Sequence, residues 1–415
     1  MSSREVTSHQ RERLMGAVMH AVKVHGYPST SVREITSLAG VSNSTFYGQF
    51  GSLDDCFLSA FDSIVAGEVE QIRSSFLAES GYKRQLRSAF ETYLDIAVDQ
   101  PDRTRFVVLE SLRLGAVGLA SQQRVSEIYE GLVSRASVDS DGQQAISELA
   151  IRAIVGGIRS LLQRRVRSGE VKELRQHIDV LLAWGFSYRM SANLDALDLA
   201  QRQPRLPPIG QPAADEVWDE RPDSIRDRTR LTQRERMVRG AAMVVAENGY
   251  GKLSIPAITG AAGVSNQTFY EHFSSAQEAF LEAIDVIGLH AATRVGTAAE
   301  LADGWVERLL SGLARLLIFL ATNPLTARLP FIEAPAAGSE GLDRVGMLVD
   351  GMVALFDLKN IPAEVGHPLA DVVIEAIAGG IYAVIQREIA GGRTEALPDL
   401  LPEIAFIALA PFVGT

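Results

Sequence analysis

The chain has 415 residues, 47 % of them hydrophobic, and a formal net charge of −11, which describes a globular protein of two or more domains rather than a disordered or fibrous chain. The opening stretch MSSREVTSHQRERL lacks the apolar core of a secretion signal, and no uncharged run approaches the roughly 20 residues that span a bilayer; LPEIAFIALAPFV near the C-terminus is short and interrupted by Pro402, Glu403 and Pro411. A single cysteine, Cys56, excludes an intrachain disulfide and a Cys/His metal cluster, so a cytoplasmic location, no membrane and no cofactor are expected.

The first predicted element is a helix from about Gln10 to His25, with Leu14, Ala17, Val18, Ala21 and Val22 at helical spacing and Gly26 as its stop. Ser31 opens a second helix, with Glu34 three places on to complete a capping box. Ala39-Gly40-Val41 supplies a tight turn: the glycine tolerates the backbone, the alanine lets two helices approach and the valine fills the space beneath. Ser42 caps a third, short helix over 43–50. Phe46 and Phe50, four apart, face inward, which turns Asn43, Ser44, Thr45, Tyr47 and Gln49 toward solvent or a partner. A short capped helix on such a pedestal fits a DNA major groove. Asn and Gln can pair with adenine, Ser and Thr hydroxyls read either partner, and tyrosine and threonine hydroxyls fix register on phosphates.

Beyond this head the apolar spacing stays helical, as in Ile151, Ile154, Val155, Ile158, Leu161 and Leu162, with no sustained alternation, so the body reads as all-α. Prolines 204, 207, 208 and 212 then mark an extended linker. From Gln233 the head returns: QRERMVRGAAMVVAENGYGKLSIPAITGAAGVSNQTFYEHF aligns without a gap on QRERLMGAVMHAVKVHGYPSTSVREITSLAGVSNSTFYGQF at an offset of 223, and roughly 25 of about 55 positions through Ile64 and Ile287 are identical. The same offset pairs Pro101 with Pro324, Glu110 with Glu333, and Gly156-Gly157 with Gly379-Gly380. The chain therefore divides into a helix-turn-helix head at 1–65, a helical body at 66–195, a linker at 196–224, a second head at 225–288 and a second body at 289–415. In the second head Ser254 opens a helix with Pro256 in its first turn and Ala257 where the capping Glu would stand. Ala262-Gly263-Val264 forms the turn, and Ser265 caps a short helix presenting Asn266, Gln267, Thr268, Tyr270 and His272.

Residues 1–50 carry five basic against three acidic side chains and residues 221–275 eight against five, which leaves −16 on the rest. Mildly basic heads on acidic bodies suit a protein that touches DNA at two small places and is repelled elsewhere. Both heads resemble the helix-turn-helix of the TetR family of transcriptional regulators, through Ile35, Ala39, Gly40, Val41, Ser42, Thr45, Phe46, Tyr47 and Phe50 and through Ile258, Ala262, Gly263, Val264, Ser265, Thr268, Phe269, Tyr270, His272 and Phe273. The resemblance implies about nine helices per unit, a body that binds a small ligand, and a repressor that leaves its operator when the ligand arrives. Where that family usually has a phosphate-binding lysine after the short helix, this chain has Leu53 and Ala276; neither short helix contains Lys or Arg, and Glu271 adds a negative charge. Basic support is expected from Arg4, Arg11, Arg13 and Arg33 in the first head and from Arg226, Arg228, Arg230, Arg234, Arg236 and Arg239 in the second. Arg33, Arg230 and Arg234 join the candidate DNA contacts.

Two heads in one chain predict an intramolecular pseudo-dimer on an asymmetric operator, with further homodimerisation open. LAIRAIVGGIRSLLQRRV and VVIEAIAGGIYAVIQREI are the candidate docking helices, crossing at their glycine pairs, with 178–186 and 404–412 completing a four-helix interface. The apolar stretch at 305–325 lines a cavity for a small apolar effector or forms plain core. No nucleophile elbow, phosphate loop or dinucleotide fingerprint is present, so an enzyme is not expected. The alternative is a small-molecule-binding or scaffolding protein with degenerate heads.

Overall fold

The computed structural model describes residues 3–138, 146–188, 217, 232–357, 361 and 369–413. The predicted linker, Val217 apart, lies outside the described residues, as do Arg226, Arg228 and Arg230. Among the described residues there is no strand, and each repeat contributes nine α-helices, in agreement with the all-α expectation. The first repeat holds α1 (Ser3–His25), α2 (Val32–Ala39), α3 (Asn43–Gln49), α4 (Leu53–Ala78), α5 (Tyr82–Asp99), α6 (Pro101–Val108), α7 (Ala116–Val138), α8 (Glu148–Ser168) and α9 (Ile178–Ser187). The second holds α10 (Gln233–Asn248), α11 (Ile255–Ala262), α12 (Asn266–His272), α13 (Ala276–Glu300), α14 (Trp305–Thr322), α15 (Pro324–Arg328), α16 (Ser339–Ala354), α17 (Asp371–Ala390) and α18 (Leu401–Val413).

Local sequence explains most boundaries, and neighbours explain the exceptions. Helix α1 begins at Ser3 rather than near Gln10, because nothing in SREVTSH, neither proline nor glycine, stops it. Ser31 accepts the Glu34 N–H at 3.3 Å, but the Glu34 carboxylate turns to His25 Nε2 at 3.2 Å, so only half of the expected capping box forms. In the second head Ser254 makes no side-chain cap bond. The complete capping box stands instead at Thr232 and Glu235, at the start of α10. Where the first body has the regular α6, the second has the short α15 followed by a π-type turn at Leu329–Glu333. Pro330, the counterpart of Val107, has no N–H to continue an α-ladder there.

The long helices α4 and α13 run from beneath each head into its body, and stacked aromatics fasten the junctions. Phe57 stacks on Phe106 at 4.1 Å between centroids, and Tyr27 and Tyr250 meet Phe57 and Phe280 edgewise or tilted at 5.1 Å. In the second repeat the buried Glu333 carboxylate also accepts the Tyr250 N–H at 2.9 Å, which ties the body to the turn that opens the helix-turn-helix. Its counterpart Glu110, equally buried, is flanked by Arg105 and Arg113 at 3.5 and 3.7 Å. No single helix among the described residues is long and apolar enough to cross a membrane.

Two compact units result, Met1–Gln143 with Leu162–Leu182, and Gln144–Leu161 with Ala183–Thr415. Within the second unit the N-terminal two thirds of α8 crosses α17 at very short range. A Cβ on Gly156 would stand 2.3 Å from Ala383 Cβ, and one on Gly379 2.5 Å from Ser160 Cβ; on Gly157 it would lie 2.3 Å from the Ala376 carbonyl, and on Gly380 2.5 Å from that of Ala153. Shifted by 223 residues, the first contact becomes the second and the third becomes the fourth, so this crossing has a local two-fold pseudo-symmetry. Arg152 Nη1 lies 3.3 Å from Glu388 Oε1 across it. Nearby the Tyr188 hydroxyl accepts from Trp184 Nε1 and donates to the Ile407 carbonyl, both at 2.9 Å.

Candidate nucleic-acid interface

Each short helix stands on a turn that its sequence dictates. Gly40 and Gly263 close α2 and α11 in the left-handed region, at φ +60° and +64°, where a side chain would be strained. Val41 and Val264 then donate N–H groups back to the Thr36 and Thr259 carbonyls at 3.0 and 3.1 Å. Ser42 accepts the Thr45 N–H at 3.0 Å, Ser265 accepts that of Thr268 at 3.0 Å, and the two hydroxyls of each pair lie 2.9 Å apart. Phe46 and Phe269 are fully buried, Phe50 and Phe273 nearly so. The glycine turn, the cap of the short helix and the burial of its phenylalanines thus recur in both heads.

The outward faces follow from that anchoring. Asn43, Ser44 and Tyr47 are exposed on α3, and Asn266, Gln267, Tyr270 and Glu271 on α12; Thr45, Gln49, Thr268 and His272 are half-buried at the edges of these faces. Tyr47 and Tyr270 leave 61 % and 63 % of their surface in solvent, although both rings touch the phenylalanine before them edgewise. A pedestal bond missed in the sequence lies beneath each asparagine. Thr36 Oγ1 donates to Asn43 Oδ1 at 3.0 Å and Thr259 Oγ1 to Asn266 Oδ1 at 2.9 Å, which aims the Nδ2 group outward. The spacing of seven between two polar residues across a turn was the available signal.

The basic residues divide. Arg33 is exposed on α2; its counterpart in the second head is Pro256, and the exposed Lys252 lies shortly before. Arg234 is engaged inside the head: Nη1 donates to the His272 carbonyl at 2.9 Å, Nε to Glu282 at 3.0 Å, and the guanidinium lies 4.4 Å from the Phe273 ring centroid. Arg11 repeats this at the Gln49 carbonyl, Ser59 and Phe50. These two arginines fix the ends of α12 and α3 against the helices that lead into the bodies. At those helices' first turns Ser52 and Ser275 cap α4 and α13. Hydrogen bonds from Ser274 hold the Glu278 carboxyl below the usual carboxylate range.

The interiors of the bodies differ. In the first, Glu68 on α4 lies near Tyr129, whose ring meets Tyr93 at 5.7 Å; burial pushes the Glu68 carboxyl up to about 7, with Arg103 opposing. At the equivalent positions of the second body stand Ala291, Met352 and Leu316, and α14 buries Leu309, Leu310, Leu313, Leu317 and Phe319.

A family model described as bacterial regulatory proteins, tetR family, matches residues 19–60 and again residues 238–284. The fatty acid metabolism regulator protein of Bacillus subtilis (strain 168) is 22 % identical over 171 residues, 41 % of this chain and 74 % of that protein. Among solved structures, a TetR family transcription regulator from Marinobacter aquaeolei VT8 is 17 % identical with a TM-score of 0.36, covering 45 % of this chain and 97 % of its own. The fatty acid degradation regulator FadR from Bacillus halodurans is 16 % identical with a TM-score of 0.36, covering 43 % and 96 %.

Proposed function

We propose that the chain, two segments of which match the model of the tetR family of bacterial regulatory proteins, is a transcriptional regulator of that family that binds one asymmetric operator through α3 and α12 together and leaves it when a small apolar effector occupies a body. The observation that carries this is the paired construction of the two heads: the glycine turn, the serine cap of each short helix and the pedestal bond beneath it recur, while the outward residues differ at Ser44/Gln267, Gly48/Glu271 and Gln49/His272. Scaffolding by degenerate heads would give no reason to keep two exposed polar faces on intact pedestals. On this proposal Asn43, Ser44, Gln49, Asn266, Gln267 and His272 face base edges, while Ser42, Thr45, Tyr47, Ser265, Thr268, Tyr270 and Arg33 hold the backbone. Arg234 acts from behind by fixing α12.

The crossing of α8 with α17 supports pairing of the two repeats within one chain. The tether then replaces a concentration-dependent dimer by an effective concentration on the order of mM. The acyl-chain class of effector is supported by the relative named for fatty acid metabolism and by the apolar face of α14. Occupancy would act through α13 or α4, each continuous from body to head, and requires the ligand to prefer a body conformation whose heads no longer match the operator.

The test is capture of genomic fragments by the purified full-length chain, followed by sequencing and salt titration. A recurrent site with two unlike halves and salt-dependent affinity is expected. Absence of any preferred duplex at low ionic strength would refute the proposal. For the effector, a long-chain fatty acid should release the captured fragment; release by none of a panel of acyl compounds refutes that part alone.

A further inference from the structure

The crossing of α8 and α17 is permissive in shape and selective in charge. Both helices carry a Gly-Gly pair, and Ser160 and Ala383, which fill the facing positions, are both small. A second α8 could therefore meet α8, or a second α17 meet α17, without steric obstruction. Charge separates these options. Arg152 Nη1 lies 3.3 Å from Glu388 Oε1, with 21 % and 10 % of the side chains exposed, and Arg393 Nε donates to Glu388 Oε2 at 2.6 Å. At the repeat offset of 223, the counterpart of Arg152 is Glu375 and the counterpart of Glu388 is Arg165.

A two-fold pairing sets the first of these positions in one helix against the second in the other, and does so twice. Two α8 helices would oppose Arg152 and Arg165 at both ends, and two α17 helices Glu375 and Glu388 at both ends. Each arrangement places like charges where much of the water is excluded, which is strongly repulsive. The mixed pairing instead sets opposite charges together, as Arg152 and Glu388 are. Resting on the intrachain pairing proposed above, we infer that Arg152, Arg165, Glu375 and Glu388 form a charge code that directs the first repeat to the second and rejects a like copy. The partner this surface fits is the other half of the duplication, and gene duplication has here been followed by divergence that closes the assembly.

The code is tested by sedimentation of full-length chains over a range of concentration. Glu388→Arg places like charges against Arg152 and makes α17 complementary to itself through Glu375. The less buried Glu375→Arg likewise makes α17 complementary to itself, through Glu388, and serves where Glu388→Arg fails to fold. Wild type is expected to remain single-chained, and each variant to self-associate at least about tenfold more tightly, with the difference shrinking at high salt. Adding Arg152→Glu to Glu388→Arg restores attraction in the tethered pairing and returns the chain to a single-chain species. Variants that stay single-chained with unchanged melting temperature would overturn the charge code and leave intrachain pairing intact. A wild-type chain that is itself a tight two-chain species would overturn the intrachain pairing instead.

Discussion

Phe46 and Tyr47 are neighbours on α3 with opposite duties: one is fully buried, the other 61 % exposed. Phe46→Ala removes the plug under the short helix and should cost about 3–5 kcal/mol, read as a lowered denaturant midpoint. Tyr47→Ala should leave stability within about 0.5 kcal/mol while weakening DNA binding, which a parallel anisotropy titration separates from unfolding. Glu68 bears on stability through pH. Its carboxyl is raised from an ordinary value near 4.5 to about 7 chiefly by burial, so between those values the folded chain keeps a proton that the unfolded chain has lost. Stability contributed by this group is complete below the lower value and falls as pH rises through the higher one. Glu68→Gln should match wild type at about pH 4 and exceed it by roughly 1–3 kcal/mol at about pH 8, in denaturant unfolding at the two conditions. Equal differences at both pH values would assign the effect to packing rather than ionisation.

Among the elements, the α8–α17 crossing is the most sensitive to volume. Gly380→Ala would put a Cβ 2.5 Å from a backbone carbonyl, that of Ala153, which cannot rotate aside as a side chain can. A loss of about 1–3 kcal/mol is expected in thermal or denaturant unfolding. An unchanged midpoint would mean that the helices cross more loosely than this geometry requires. The short elements were legible in sequence because their causes are local: Ser42 and Ser265 cap within three residues, Gly40 and Gly263 turn within one, and the Phe pairs repeat at four. What escaped depends on neighbours remote in sequence. Glu34 abandons its cap for His25, Ser254 makes no cap bond, and Arg234, read as a DNA contact, reaches Glu282 and His272 across the head. The Thr36–Asn43 bond was hidden for the same reason, since only the folded turn brings those residues together. Glu68 was not singled out because a carboxylate on an amphipathic helix ordinarily marks the solvated face.

For the whole molecule, the operator proposed above has two unlike halves because the duplicated heads differ in their outward residues. The offset of 223 holds from Gln10 through Gly157, so the repeat was readable along much of the chain and its glycine pairs already marked α8 and α17 as the helices that cross, whereas the individual close approaches at that crossing needed three dimensions. On the two-headed reading proposed above, inactivating one head should convert strong binding to weak rather than abolish it. Footprinting of the captured operator with Tyr47→Ala, Tyr270→Ala and wild type measures this directly. Each single variant should lose protection over a different half of the site and bind at least about tenfold more weakly. A variant in either head that leaves both the footprint and the affinity unchanged would contradict two-headed recognition.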